Sequence, residues 1–124
     1  MAEEPFVAVR AFHYDIQLDQ GADFCVPVEF YDGGNRPIRF AGFSARMQVR
    51  KNPSSSVVID ELSSFAPNPR ITFASNVMRL TWTHEQTEKI PHGRYFYDLE
   101  VTAPNGQRSR LLEGAFIIRR EVTR

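Results

Sequence analysis

Residues 95–101 alternate strictly: Tyr95, Tyr97, Leu99 and Val101 fall on one face, and Phe96, Asp98 and Glu100 on the other. A period of two is a strand signature, because successive side chains of an extended chain point to opposite sides. The segment is followed at once by Pro104-Asn105-Gly106 and a second apolar stretch, the strongest short-range signal for a β-hairpin closed at Asn-Gly. The same alternation recurs. Phe24, Val26, Val28 and Phe30 share a face; Ala45, Met47 and Val49 alternate with Arg46, Gln48 and Arg50; Met78, Leu80 and Trp82 alternate with Arg79, Thr81 and Thr83. Between these segments lie dense turn signals, among them Asp19-Gln20-Gly21, Asp32-Gly33-Gly34-Asn35 and Pro91-His92-Gly93. Short alternating strands at this spacing make an all-β chain, a sandwich or small barrel of antiparallel sheets with one wet face each.

The less regular segments complete the pattern. Residues 6–18 read as two short strands, 57–62 and 70–73 as further strands, and 111–122 as a long last strand, broken or bulged near Gly114. Pro27 lacks a ladder donor and marks an edge strand or a bulge. One helical turn is expected over residues 84–89. Thr83 can cap it with Gln86 at the reciprocal capping-box position, Glu85 suits the positive end of the helix dipole, and Pro91 ends it.

A chain of 124 residues is one domain by size, and can bury roughly two-thirds of its unfolded surface without a disulfide or metal. The 15 basic and 15 acidic residues cancel. That balance argues against a general nucleic-acid or anionic-membrane binder, and its weak self-repulsion suits association with copies or partners. Cys25 is the single cysteine, so no intramolecular disulfide is possible; between Phe24 and Val26 it reads as a small strand filler. The acidic start Met1-Ala2-Glu3-Glu4 is unlike a secretory leader, and folding in a cytoplasm is expected.

Chemistry-bearing clusters are sparse. His13, His84 and His92 lack metal-ligand spacing, and neither a nucleophile elbow nor a phosphate loop is present. Asp15, Asp19 and Asp23 around Gly21 read as turn acceptors rather than a calcium loop. Asp98, Glu100 and Glu113 read as cross-strand partners of Arg94, Arg108 or Arg110 rather than a glycosidase pair. No enzyme, cofactor or metal is expected. Phe96, Tyr31 and Phe43 fall off the inward faces, and exposed aromatics mark interfaces more often than active sites.

The order of segments carries a resemblance: Asp15-Ile16-Gln17-Leu18-Asp19-Gln20-Gly21, then Pro27-Val28-Glu29-Phe30-Tyr31-Asp32, then Ala41-Gly42-Phe43-Ser44-Ala45-Arg46-Met47, then Leu80-Thr81-Trp82-Thr83-His84-Glu85, then the hairpin. From about Asp15 onward this resembles small phage and prophage virion proteins related to the N-terminal domain of baseplate upper proteins. The resemblance implies an immunoglobulin-like antiparallel β-sandwich over residues 15–124, to which the residues add one short helical turn; residues 1–14 lie outside the resembling pattern and are expected to form an added strand or arm. It implies a structural tail or baseplate adaptor, acting by subunit–subunit assembly with other virion proteins and copies of itself, located in the virion and assembled in the bacterial host cytoplasm. No coiled coil or receptor-binding region follows, so the chain is expected to be the attachment module alone or an independent decoration. Phe6, Val7 and Val9 on the first segment and Phe116, Ile117 and Ile118 on the last are the candidate edge contacts. The alternatives are a capsid cement protein, or a carbohydrate-binding module stacking sugars on Trp82, Tyr95 or Tyr97.

Overall fold

The alternating segments become strands because each has one apolar face to bury, and two sheets stacked face to face bury both sets at once. The computed structural model describes residues 12–120. In chain order these form β1 (Phe12–His13), β2 (Ile16–Asp19), β3 (Phe24–Glu29), β4 (Ser44–Arg50), β5 (Val58–Ser63), β6 (Ile71–Ala74), β7 (Val77–Trp82), α1 (His84–Glu88), β8 (Gly93–Thr102) and β9 (Arg108–Arg119). One sheet has the order β1–β9–β8–β4–β5, with β2 also on β9; the other has the order β3–β7–β6. In immunoglobulin lettering this is G–F–C–C′ against B–E–D, with the first segment lying parallel on G. The protein is an all-β, immunoglobulin-like sandwich with one short helix.

A further mark of that fold sits at the corner between β7 and β8. Tyr95, near the start of β8, donates its Oη to the Pro91 carbonyl at 2.6 Å, the tyrosine-corner arrangement. Two residues on, where antibody domains place their second cysteine, stands Tyr97. It is fully buried and donates its Oη to the Tyr14 carbonyl. A hydrogen bond from β8 to the first segment thus occupies this region, and Cys25 lies exposed on β3 rather than filling the interior.

The core is the set of inward alternation positions. Trp82, Met78 and Leu80 of β7 face Met47 and Val49 of β4, Tyr97 and Leu99 of β8, and Phe116 of β9 within one buried cluster. The Trp82 and Phe116 rings lie 5.6 Å apart. Each fully buried large side chain contributes about 1.5–3 kcal/mol of transfer free energy, which is why alternation and not local propensity sets the register. Phe40 comes from the loop between β3 and β4 yet is fully buried, with Phe30 at 5.3 Å, Phe43 at 5.5 Å and Phe73 at 5.3 Å between ring centres. The loop closes one end of the sandwich with its own side chain.

Three details differ from the alternation reading. The hairpin loop is three residues, not two. Gly106 N–H donates to the Ala103 carbonyl at 2.8 Å, and Gly106 has φ 90° while Asn105 is not left-handed. Pro104 supplies the fixed φ of a type I turn, and the glycine then takes the left-handed position that closes it. The irregularity in β9 lies at Leu111, which has no partner in a register that passes from Leu112 opposite Leu99 to Arg110 opposite Glu100; Gly114 pairs regularly with Tyr97. Finally, β1 and β2 are parallel to β9, where antiparallel pairing is expected throughout.

Candidate interaction site

Exposed large apolar side chains gather where the two sheets part at one edge. Phe12 (56% exposed), Tyr14 and Tyr31 line an open groove of about 280 Å³ together with Val28, Phe30 and Leu112. Each is put there by a local constraint. Phe12 and Tyr14 flank the short β1 ladder. Tyr14 N–H donates to the Glu113 carbonyl at 2.9 Å, which sets the first segment beside β9. Tyr31 follows β3 and bridges to Pro37, and its Oη donates to Glu29 Oε2 at 2.6 Å. That hydrogen bond to a carboxylate is the main cause of the raised phenol pKa.

Along this side β3 is the outermost strand of its sheet. Phe30 N–H turns to the Asn76 carbonyl at the head of β7, so by alternation Pro27 sits at a position facing away from β7. The missing N–H costs no ladder bond there, in keeping with an edge strand, and it interrupts any row of donors that a new strand would need.

The candidate contact residues are placed differently from one another. Phe6, Val7 and Val9 lie outside the described residues, as does most of the expected arm. Phe116 (0% exposed) and Ile118 (2%) point into the core, and Ile117 is half-buried. The free side of β9 is already taken, since Ile16 to Asp19 pair with Phe116 to Arg119 in register. What β9 was expected to offer a partner is therefore satisfied within the chain. The stacking platform of the carbohydrate reading is likewise absorbed: Trp82, Tyr95 and Tyr97 are all buried. The signal for the groove was weaker but present. Tyr31 already fell outside the inward alternation, whereas Phe12 and Tyr14 sat in a segment too irregular to assign faces.

The polar clusters resolve into structural pairs. Asp15 Oδ1 accepts from Ala115 N–H at 2.9 Å and lies 2.9 Å from His13 Nε2; the backbone bond is the larger cause of its lowered pKa. Asp19 pairs with Arg119 at 2.7 Å. Asp23 accepts from the His84 backbone N–H at the head of α1 and sits 3.0 Å from its Nδ1. Arg110 bridges Asp98 at 3.4 Å and Glu113 at 3.6 Å. Among the described residues no group of three or more His, Cys, Asp or Glu side chains could hold a metal ion, and no helix is long and apolar enough to cross a membrane.

Neither a protein-family model nor any curated protein matches the chain. Similar solved structures include two extracellular modules of sodium-channel β subunits. A structure of β subunits described in multimeric cell-adhesive interactions is 12% identical, covers 97% of this chain and 100% of its own, and has a TM-score of 0.46. The β4 extracellular domain, described as a parallel homodimer in cell–cell adhesion, is 14% identical, covers 98% and 94%, and has a TM-score of 0.42. Extracellular domains 3–5 of Drosophila OTK are 10% identical, with 98% of this chain and 37% of that one covered and a TM-score of 0.37. None of these is a phage protein. The resemblance to baseplate upper proteins does not stand, and the adaptor role and virion partners that followed from it lose their support. The ordered motifs behind it were strands and turns, which any sandwich of this topology shares.

Proposed function

We propose that this protein is a non-catalytic, immunoglobulin-like interaction module that associates with a second copy of itself through the groove edge of the sandwich. The observation that carries this reading is the clustering of Phe12, Tyr14 and Tyr31, all exposed, on one groove at the sandwich edge. Aromatic side chains without a core to enter are the typical centre of a protein contact. A second copy suits the groove for two reasons. Its rim carries one carboxylate, Glu29, and one imidazole, His13, which a two-fold axis would set against each other reciprocally. The balanced net charge opposes such pairing little. Because Pro27 interrupts the edge ladder, the contact runs through side chains rather than through a continuous added strand.

Sedimentation equilibrium over a range of concentrations tests the reading. The expected result is a reversible monomer–dimer equilibrium that Phe12→Asp and Tyr31→Asp each shift toward monomer, with far-UV circular dichroism unchanged. A chain that stays monomeric at every concentration, or a dimer indifferent to both substitutions, would overturn it.

A further inference from the structure

The outer face of β8 and β9 carries a second depression, of about 310 Å³, distinct from the aromatic groove. Its floor is apolar: Phe96 and Ala115, directly paired across the two strands, with the backbone of Gly114. Its rim carries two permanent cations, Lys51 at the end of β4 and Arg94 at the start of β8, together with the His13 imidazole. Arg50 is the cross-strand neighbour of Phe96 on the other side.

The charges around this floor differ from those elsewhere on the same sheet. Arg46 has Glu61 at 3.2 Å, and Arg110 has Asp98 and Glu113. Around Phe96 the cations have no such partner among the described residues. Arg50 donates only to neutral acceptors, the Ser55 carbonyl and Gln48 Oε1, both at 2.6 Å. Among the described residues, Lys51 and Arg94 form no ion pair. Asp15 is engaged by His13 and by Ala115 N–H and interacts with Arg94 only through its field, and Asp98 and Glu113 are taken by Arg110. Two permanent cations, Lys51 and Arg94, thus line an apolar floor without an ion-pair partner among the described residues, and Arg50 stands opposite Phe96 on β4 with its guanidinium held by Ser55 and Gln48.

We infer that this depression binds an acidic peptide segment of a protein partner, with an aromatic or aliphatic side chain seated on Phe96 and Ala115 and flanking carboxylates on Arg94 and Lys51. Simple phosphate would leave the apolar floor unused. A nucleic-acid strand would need a longer basic track than these side chains provide on a chain of zero net charge. Arginine and lysine around an aromatic floor match a peptide carrying both chemistries, and the steering they provide is salt-dependent. This site shares the His13 imidazole with the rim of the self-association groove, but its proposed contacts on Phe96, Ala115, Arg94 and Lys51 lie outside that groove and do not depend on it.

The test uses the full chain, isotopically labelled, titrated with a short peptide of glutamate and phenylalanine while amide shifts are followed. A peptide with lysine in place of glutamate serves as the control. Saturable binding is expected, with perturbations centred on Lys51, Arg94, Phe96 and Ala115, weakening about tenfold or more in Arg94→Glu and Lys51→Glu. Affinity should fall several-fold between about 50 mM and about 300 mM salt. Arg94→Gln, milder for folding, should give an intermediate loss, and sedimentation of each variant should match that of the parent chain. Equal binding of the lysine peptide would overturn the inference. So would competition by inorganic phosphate or a short oligonucleotide at matching concentration, perturbations confined to the Phe12–Tyr31 groove, or the absence of binding.

Discussion

Trp82 is fully buried, and its indole N–H still needs an acceptor. Asp60 Oδ2 supplies it at 3.0 Å. The same carboxylate takes both terminal nitrogens of Arg70, at 2.9 and 3.1 Å, and Arg70 also donates to the Glu61 carbonyl at 3.0 Å. One carboxylate therefore ties β5 of the larger sheet to β7 and to the entry of β6 in the smaller one. Most of this network is shielded from water, so its loss leaves buried donors unpaired rather than merely resolvated. Asp60→Ala is expected to lower unfolding stability by about 2–3 kcal/mol, read from urea denaturation, whereas Arg46→Ala, which breaks only an exposed pair, should change it by less than about 0.5 kcal/mol. Alternation alone placed Trp82 inward. It did not reveal that residues 22 positions apart in sequence would share a hydrogen bond, because that pairing depends on how the two sheets are stacked.

Between β1 and β2, both paired with the same edge of β9, Tyr14 and Asp15 interrupt the ladder close to Gly114. A Cβ at Gly114 would lie 2.5 Å from the Tyr14 carbonyl oxygen and 2.9 Å from Asp15 Oδ1, closer than any side chain is tolerated. Glycine here serves close approach, not an unusual turn. Gly114→Ala should destabilise by about 1–3 kcal/mol, and the first amides to gain hydrogen exchange should be Tyr14 and Ala115, whose bonds join this interrupted stretch to β9. The helix α1 is held by a comparable device. Thr83 caps it with Gln86 as a reciprocal box, as its residues foretold. Its anchorage, however, is Thr87, fully buried, whose Oγ1 accepts from Gly21 N–H at 3.0 Å and donates to the Ala22 carbonyl at 2.8 Å. Thr87→Val keeps the volume and loses both bonds; a cost of about 1–2 kcal/mol is expected by thermal denaturation, with the turn between β2 and β3 loosened.

For the whole molecule, pH acts from both ends. Asp15 and Asp23 accept backbone hydrogen bonds as carboxylates, which holds their pKa values below the ordinary one. The stability they contribute is present above the unfolded-state pKa of about 4 and is lost as pH falls through the lower folded values. Burial pushes the Tyr97 and Tyr95 phenols upward, so their contribution is complete below about pH 10 and is lost as pH rises beyond it. The melting temperature should therefore fall on both flanks, and Tyr97→Phe should flatten the alkaline flank while lowering the plateau. An alkaline profile unchanged by Tyr97→Phe would show that this phenol is not linked to folding. By itself the sequence determined the all-β class, the inward faces, the capped turn of helix and an edge strand or bulge at Pro27, because each follows from period, propensity or a missing N–H within a few residues. Only the tertiary structure decided that β1 and β2 run parallel to β9, that Phe116 and Ile118 are covered from within, and that Phe12, Tyr14 and Tyr31 meet on one groove. Those are outcomes of strand pairing and sheet stacking between segments up to about a hundred residues apart, and no local pattern carries that information.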